Sequence, residues 1–267
     1  MKKTYWIFLI VLLIGIFSVA GYIFFKTPKK EIVEDPILKA IKSRGKIIVG
    51  TDATYPPMES IDEKGNFVGL DIDIAREIAS DLGVEAEFRN IAWDILITFD
   101  PLFKGEVDML ISSITITPER AEKVAFSDPY FNAGQVIVTT FDKIDEIKGV
   151  RNLAGKKLGV QKETTSHYEA LKYTQPEMVI AYENYDLAKE ALLKKEIDAI
   201  IIDYPAGIGM VSAEPRFRIV GEPFTQEFYG IAVRKEATGL LEEINKTIRR
   251  LKKEGILESL TEKWFRK

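Results

Sequence analysis

The sequence predicts an α/β layered fold with mainly parallel sheets, on three observations. Short apolar runs rich in Val and Ile alternate with stretches of helical period, several of the runs end at a polar or acidic residue followed by a loop, and the alternation restarts after Tyr130. In open α/β sheets ligands bind just beyond the carboxyl ends of the strands. Asp52, Ser112, Gln161 and Asp203 each stand at such an end and mark where a site is expected.

The elements follow in order. Asp35-Pro36 and the apolar Ile37, Leu38 and Ile41 predict a short helix stopped by Gly45. A buried strand covers residues 46–52, a proline loop residues 53–57, and a turn residues 62–65. Apolar residues at 72, 74, 75, 78, 79 and 82 predict a helix over 71–82, ended by Gly83. Strands are expected at 84–89 and 107–111, with a helix at 95–104 in spite of Pro101. Beyond Tyr130, strands are expected at 135–140, 155–160, 179–182, 199–203, 217–220 and 228–233. A loop at 161–166 and helices at 185–195, 240–253 and 256–264 complete the series.

Composition narrows the function. The chain has 267 residues, 46% hydrophobic and 29% charged, enough for one large domain or two modest ones. A formal net charge of −4, with no basic run interleaved with aromatics beyond the N-terminal flank, argues against nucleic-acid binding. The absence of cysteine removes thiol catalysis, disulfides and thiolate metal sites, and a single histidine, His167, makes histidine triads and multi-histidine metal sites poor explanations. Asp71 and Asp73 read as a helix N-cap and a first-turn acid rather than a metal pair, so neither a metal nor a cofactor is expected.

At the N-terminus, Lys2 and Lys3 precede an uncharged, largely aliphatic and aromatic run over residues 4–25, about long enough to cross a bilayer as a helix. It reads as an uncleaved membrane anchor. The alternative is a signal peptide cut after Ala20. Residues 26–35 read as a linker.

Residues 112–120 read as the end of a buried strand, a polar turn and the first turn of a helix. Thr117 is a good N-cap and Pro118 fits the first helical position. Arg120 then lies beside the positive end of the helix dipole, a poor place for a cation unless an anion joins it. Ser112, Ser113, Thr115 and the guanidinium fork would face that anion. The plainer alternative is a surface ion pair for Arg120, with the hydroxyls capping the turn.

These motifs, in their order and spacing, resemble the extracytoplasmic solute-binding proteins of amino-acid ABC importers, the polar amino-acid family. The matching pieces are Val49-Gly50-Thr51-Asp52-Ala53-Thr54-Tyr55-Pro56-Pro57-Met58-Glu59, Gly69-Leu70-Asp71-Ile72-Asp73-Ile74-Ala75, Trp93-Asp94 and Ile114-Thr115-Ile116-Thr117-Pro118-Glu119-Arg120. Phe126-Ser127-Asp128-Pro129-Tyr130, Ile197-Asp198-Ala199-Ile200-Ile201-Ile202-Asp203, Tyr229-Gly230-Ile231-Ala232-Val233 and Trp264-Phe265 continue the match. The resemblance implies a two-lobed periplasmic-binding-protein-like fold (type II). Residues 36–130 and 230–267 would form the first lobe and 135–225 the second, preceded by the membrane segment and linker at 1–30. Hinges would lie near 130–134 and 226–229.

It also implies a site. Arg120 matches the arginine that forks a ligand α-carboxylate, with Thr115 and Ser113 adding donors, and Asp203 matches the acid that accepts from the α-ammonium. Gln161, Thr164 and Thr165 match contacts from the second lobe, although Lys162-Glu163 stand where relatives usually carry glycine. Tyr55 and Trp93 match an aromatic pair around the ligand side chain. The segment after Trp93 departs from the family pattern. Asp52 matches the acid at the ligand's distal end, favouring Arg, Lys or His and next glutamine; Glu59 would either add to that field or sit on the lobe edge.

The function implied is capture of a free amino acid on the extracytoplasmic face and its delivery to an importer. The permease and ATPase would be separate chains. Gly149 and Gly155 resemble a phosphate loop but have five residues between them, with Lys157 where Ser or Thr is needed. The alternatives are a dehydratase of the same fold, with Glu59 or Asp52 as its acid, and a sensing domain serving a separate partner.

Overall fold

The computed structural model describes residues 35–265. Asp35 opens it by capping two helices at once. One carboxylate oxygen accepts from the Ile37 amide at 2.8 Å, and the other from the Gly239 and Leu240 amides at 2.9 and 3.1 Å. Helix α1 (Pro36–Arg44) starts there and stops at left-handed Gly45. β1 (Lys46–Thr51) is followed by a three-stranded antiparallel flap of β2 (Thr54–Tyr55), β3 (Glu59–Ile61) and β4 (Phe67–Val68), which the sequence reading missed because its strands are two or three residues long.

Helix α2 (Leu70–Leu82) comes next, with β5 (Glu85–Asn90), α3 (Trp93–Leu96), α4 (Asp100–Phe103) and β6 (Met109–Leu110) after it. Helix α5 (Pro118–Lys123), β7 (Ala125–Phe126) and β8 (Phe131–Ala133) lead into the second half. That half contains β9 (Gln135–Thr140), β10 (Leu158–Gln161), α6 (Thr165–Ala170), β11 (Val179–Tyr182), α7 (Tyr185–Leu193), β12 (Ala199–Asp203), α8 (Tyr204–Ala213) and β13 (Phe217–Val220). The chain returns through β14 (Glu227–Tyr229) and β15 (Ala232–Val233) to α9 (Thr238–Lys253) and α10 (Ile256–Phe265).

Two five-stranded sheets carry the architecture, ordered β5-β1-β6-β15-β7 and β11-β10-β12-β9-β13. Each has three parallel strands with the first of the three in the middle, and a fourth, antiparallel strand taken from the chain as it crosses between sheets: β15 in one, β9 in the other. The crossing segments themselves pair as β8 and β14. Aliphatic side chains cover both faces of each sheet. On the first, α2 contributes Ile74 and Ile78 and α9 contributes Ile244 and Ile248 to one core, while Leu96, Phe99 and Leu102 fill the other face. On the second, Val136, Ile200 and Ile202 pack against Ala188 and Leu192 of α7, and Ile137, Val160 and Ile201 face the opposite side. Continuous apolar strands such as 199–203 are what a sheet buried on both faces requires.

The structure departs from the sequence reading at identifiable points. The helix expected at 95–104 is two single turns, α3 and α4, broken at Phe99, which takes a positive φ of 66°. The strand expected at 228–233 is split between β14 and β15 at Gly230, where a Cβ would lie 2.7 Å from the Ile116 side chain. Helix α8 was not foreseen, because Pro205, Gly207 and Gly209 disguise it; the proline falls in its first turn, where it is tolerated. Asp71 is not an N-cap: Gly69 holds that place, and Asp71 is fully buried in the first turn of α2. Among the described residues no helix is long and apolar enough to cross a membrane. The anchor expected at 1–30 lies outside the described residues.

Asp35 satisfies three helix-terminal amides that water would reach poorly. Asp35→Ala is expected to lower unfolding stability by about 1–3 kcal/mol, read from urea denaturation at neutral pH. Asp35→Asn, which keeps an acceptor, is expected to lose less.

Candidate functional site

The carboxyl ends of both sheets open on one cleft, with about 420 Å³ of atom-free space continuous with solvent. β1, β6 and α5 supply one wall, and β10, α6 and β12 the other. All ten residues singled out from the sequence line it. Asp52, Tyr55, Trp93, Ser113, Thr115 and Arg120 come from the first sheet's side, and Gln161, Thr164, Thr165 and Asp203 from the second's.

Arg120 sits in α5, whose N-cap Thr117 accepts from the Arg120 amide at 3.2 Å. Its guanidinium is buried. One nitrogen donates to the Thr115 carbonyl at 2.9 Å, another reaches the Glu163 carbonyl across the cleft at 3.5 Å, and the Trp93 ring centre lies 5.6 Å away. It forms no ion pair among the described residues, so the surface-pair alternative does not hold. Burial pulls its pKa below the ordinary value, against the opposing pull of Asp203 and Glu227.

Asp203 ends β12 and stands at the N-cap of α8, but its side chain does not cap the helix. One oxygen accepts from the Tyr229 hydroxyl at 2.5 Å, while the other is buried with no donor among the described residues. A buried acceptor left unmet costs about 1–3 kcal/mol. Burial, and next the nearby Glu227, push the Asp203 pKa up to about 7; Tyr229, Arg120 and Gln135 offset part of the rise.

Asp52 is held from two sides. Its oxygens accept from the Thr54 hydroxyl at 2.9 Å and the Trp93 amide at 3.0 Å, and its own amide donates to Ser112 Oγ at 2.9 Å. Burial raises its pKa. The expected aromatic pair is present in the cleft, yet each ring has its own neighbour: Tyr55 packs on Tyr185 with centroids 5.7 Å apart, and Trp93 faces Arg120. Tyr55 therefore touches the opposite wall directly.

Of the three hydroxyls expected to face an anion, two are turned elsewhere. Ser112 and Ser113 donate to the two Glu59 oxygens at 3.0 and 3.2 Å, and the Ser113 amide donates to Asp71 at 2.7 Å. Ser113 holds a φ of 50°, in the left-handed region that favours glycine, and Glu163 likewise has a φ of 59°. Both loops thus keep a glycine-like path without glycine. Gln161 donates to the Glu183 carbonyl at 3.1 Å, Thr164 caps α6 by accepting from the His167 amide at 3.1 Å, and Thr165 Oγ1 accepts from Gln135 at 3.1 Å.

The sequence reading did not single out Tyr185, Ser166 and Thr54, which also line the cleft, or Tyr229, Gln135 and Glu227 around Asp203. Tyr229 was visible only as part of a strand motif. The others carried no signal, because their importance comes from the crossing of two segments distant in sequence. Glu59 is in the cleft wall and not on a lobe edge. Among the described residues no group of three acidic or histidine side chains is arranged to hold a metal ion.

Residues 47–267 match the family of bacterial extracellular solute-binding proteins, family 3. The chain belongs to that family. Its fold is the two-lobed type II fold of periplasmic binding proteins. It is similar to the arginine-bound form of truncated ArgBP from T. maritima, with 43% identity and a TM-score of 0.75, covering 80% of this chain and 99% of that one. It is 36% identical to the glutamine-binding protein GlnH of the Bacillus subtilis ABC transporter over 235 residues, covering 86% of this chain and 84% of the relative. It is also similar to an ancestral amino acid-binding protein described as a precursor of cyclohexadienyl dehydratase, with 38% identity and a TM-score of 0.78, covering 86% of this chain and 99% of that one.

The raised Asp203 pKa makes a stability statement. The folded state binds a proton that the unfolded chain has already released, so stability falls as pH rises from about 4 to about 7. Asp203→Asn cannot ionise. Without ligand it is expected to be more stable than the parent at pH 8, by on the order of 2–4 kcal/mol, and nearly equal at pH 4, by thermal or urea unfolding.

Proposed function

We propose that this protein captures a free amino acid on the extracytoplasmic face and delivers it to an ABC importer whose permease and ATPase are separate chains. The observation that carries the reading is the pair of buried, opposite charges on facing walls. Among the described residues Arg120 has no carboxylate partner, and Asp203 has a carboxylate oxygen with no donor. An α-carboxylate suits the guanidinium fork and an α-ammonium suits the open oxygen. Thr115, Gln161, Thr164 and Thr165 border the zwitterion, while Ser113 serves as wall, its own donors being engaged. The ligand side chain runs toward Asp52 between Trp93 and Tyr55. A carboxylate at that end favours a basic amino acid, with glutamine next, consistent with the arginine- and glutamine-binding relatives.

On this reading, residues 36–130 with 230–267 and residues 135–225 are the two lobes, and the paired segments β8 and β14 are the hinge. Residues 1–30 anchor the protein to the membrane, or direct its export if they are cut. A dehydratase reading finds little support in the cleft, since Glu59 is taken up by Ser112 and Ser113 and Asp52 by Thr54 and the Trp93 amide.

A thermal-shift screen of residues 31–267 against the twenty amino acids tests the proposal. A ligand at about 100 times its Kd adds about 2.7 kcal/mol, a rise of roughly 5–11 °C for a domain of this size. Arg, Lys, His or Gln should give it, and Arg120→Ala should abolish it. No shift with any amino acid, or an undiminished shift in Arg120→Ala, would sink the reading.

Closure has its own test. A Cβ on Gly209 of α8 would lie 2.3 Å from the Pro56 carbonyl oxygen of the facing wall. Gly209→Ala is expected to weaken ligand binding about tenfold or more by lowering the closed population, measured by calorimetry.

A further inference from the structure

Behind the cleft, the starts of β3 and α2 are pressed together. The Leu70 and Asp71 amides donate to the Pro57 and Met58 carbonyls at 3.2 and 2.9 Å, and Gly69 approaches so closely that a Cβ there would lie 2.1 Å from the Met58 oxygen. This backbone clamp sets Glu59 and Asp71 side by side, both almost wholly buried. Both carboxyl groups converge on Ser113: Glu59 accepts its hydroxyl and Asp71 its amide. Glu59 also accepts from Ser112, and Asp71 from the Tyr130 hydroxyl at 2.9 Å. The second Asp71 oxygen is buried without a donor among the described residues. The titratable groups facing the pair are Asp52, Tyr55 and Tyr130, and none of them is a cation.

Two adjacent buried carboxylates with no cation beside them are strongly unfavourable, and one proton between them removes the repulsion while supplying the missing donor. We propose that Glu59 and Asp71 share a proton, and that this protonated pair is the positioning device for the Ser112–Ser113 floor of the cleft, through which Asp52 is also held. The two carboxyl groups meet at one residue, Ser113, whose hydroxyl and amide they accept at 3.2 and 2.7 Å. Burial first, and then Asp71, push Glu59 well above the usual carboxyl range, and burial pushes Asp71 up to about 7. The folded protein therefore keeps a proton that the unfolded chain gives up, and stability falls as pH rises from the ordinary carboxyl range to the raised pKa of the folded pair.

Glu59→Gln is the informative variant, because its amide can donate to Asp71 and accept from a serine at every pH. Asp71→Asn is its mirror image. Thermal midpoints of the ligand-free protein are compared between pH 6 and pH 9. The wild-type midpoint should fall faster than that of Glu59→Gln, by roughly 3–5 °C for each pH unit up to the pKa of the folded pair, and the two slopes should converge above it. Parallel curves for wild type and variant would overturn the proposal. So would a Glu59→Gln protein as unstable at pH 6 as Glu59→Leu, since the amide should replace the protonated acid there. If both amide variants fail to fold, carboxyl-carbon NMR of the wild type decides: one proton held by the pair at pH 6.5 supports the proposal, and both carboxyl groups ionised there overturns it. The inference concerns a wall of the proposed amino-acid site, but these readouts need no ligand. A wild type that binds no amino acid would therefore count against the function and leave the shared proton to its own test.

Discussion

The structure turns on two opposite charges, Arg120 and Asp203, buried on facing walls of one cleft and, among the described residues, joined by no ion pair. Removing an ion from water costs several kcal/mol even after the surroundings relax, and only a well-matched partner recovers it. Neither group is left wholly bare. Arg120 leans on a carbonyl and the Trp93 ring, and Asp203 takes the Tyr229 hydroxyl. These contacts hold the side chains in place without neutralising them. Glu227, on the crossing strand β14, is close enough to raise the Asp203 pKa and to support the charge on Arg120, so the segment linking the two halves bears on both charges. A zwitterion between the walls meets both needs at once, and neither wall meets them alone. That asymmetry links binding to closure, because a ligand shifts an equilibrium only by its differential affinity for the two states.

The scaffold explains why the charges face each other. Each sheet places a parallel strand's carboxyl end at the cleft, and the two crossing segments return the chain so that both ends point to the same space. The antiparallel strands β15 and β9 belong to these crossings, so neither sheet is complete without the link between them. Tyr229 shows the consequence. It sits on β14, packs against Phe131 of β8, and ends on Asp203 of the second sheet. A single aromatic side chain thus spans the crossing segments and the site.

Much of this was legible in the residues. Long apolar strands such as 135–140 and 199–203 declare themselves by composition, and helix α2 by its period and closing glycine. The helix start at Thr117-Pro118 placed Arg120 correctly. What was illegible depends on contacts between distant segments. Nothing local to Tyr229 or Gln135 points to Asp203, and nothing local to Ser113 shows that its donors turn to Glu59 and Asp71. Helix α8 was hidden by glycines whose reason lies elsewhere, in Gly209's approach to Pro56. Asp71 was misread as a cap because an acid at a helix start usually is one; its burial beside Glu59 depends on a clamp between two elements that only the fold brings together.

The proton proposed to be shared behind the cleft bears on what the distal end recognises. If Glu59 carried a charge it would join Asp52 in a strongly negative field, and a cationic side chain would be chosen by charge. With the proton on Glu59, the pair's remaining negative charge sits with Asp71, outside the cleft lining, and Asp52 is the ionised acid that faces the ligand there, each of its oxygens already accepting one hydrogen bond. A carboxylate has about four acceptor positions, so capacity for further donors remains. Such a group distinguishes donors from acceptors more sharply than it distinguishes charge. A guanidinium and a carboxamide N–H both satisfy it, whereas a ligand carboxylate would face both repulsion and an unmet acceptor. A family whose members bind arginine in one case and glutamine in another is what a site of this chemistry would produce, with the balance set by how much negative charge this wall is allowed to keep.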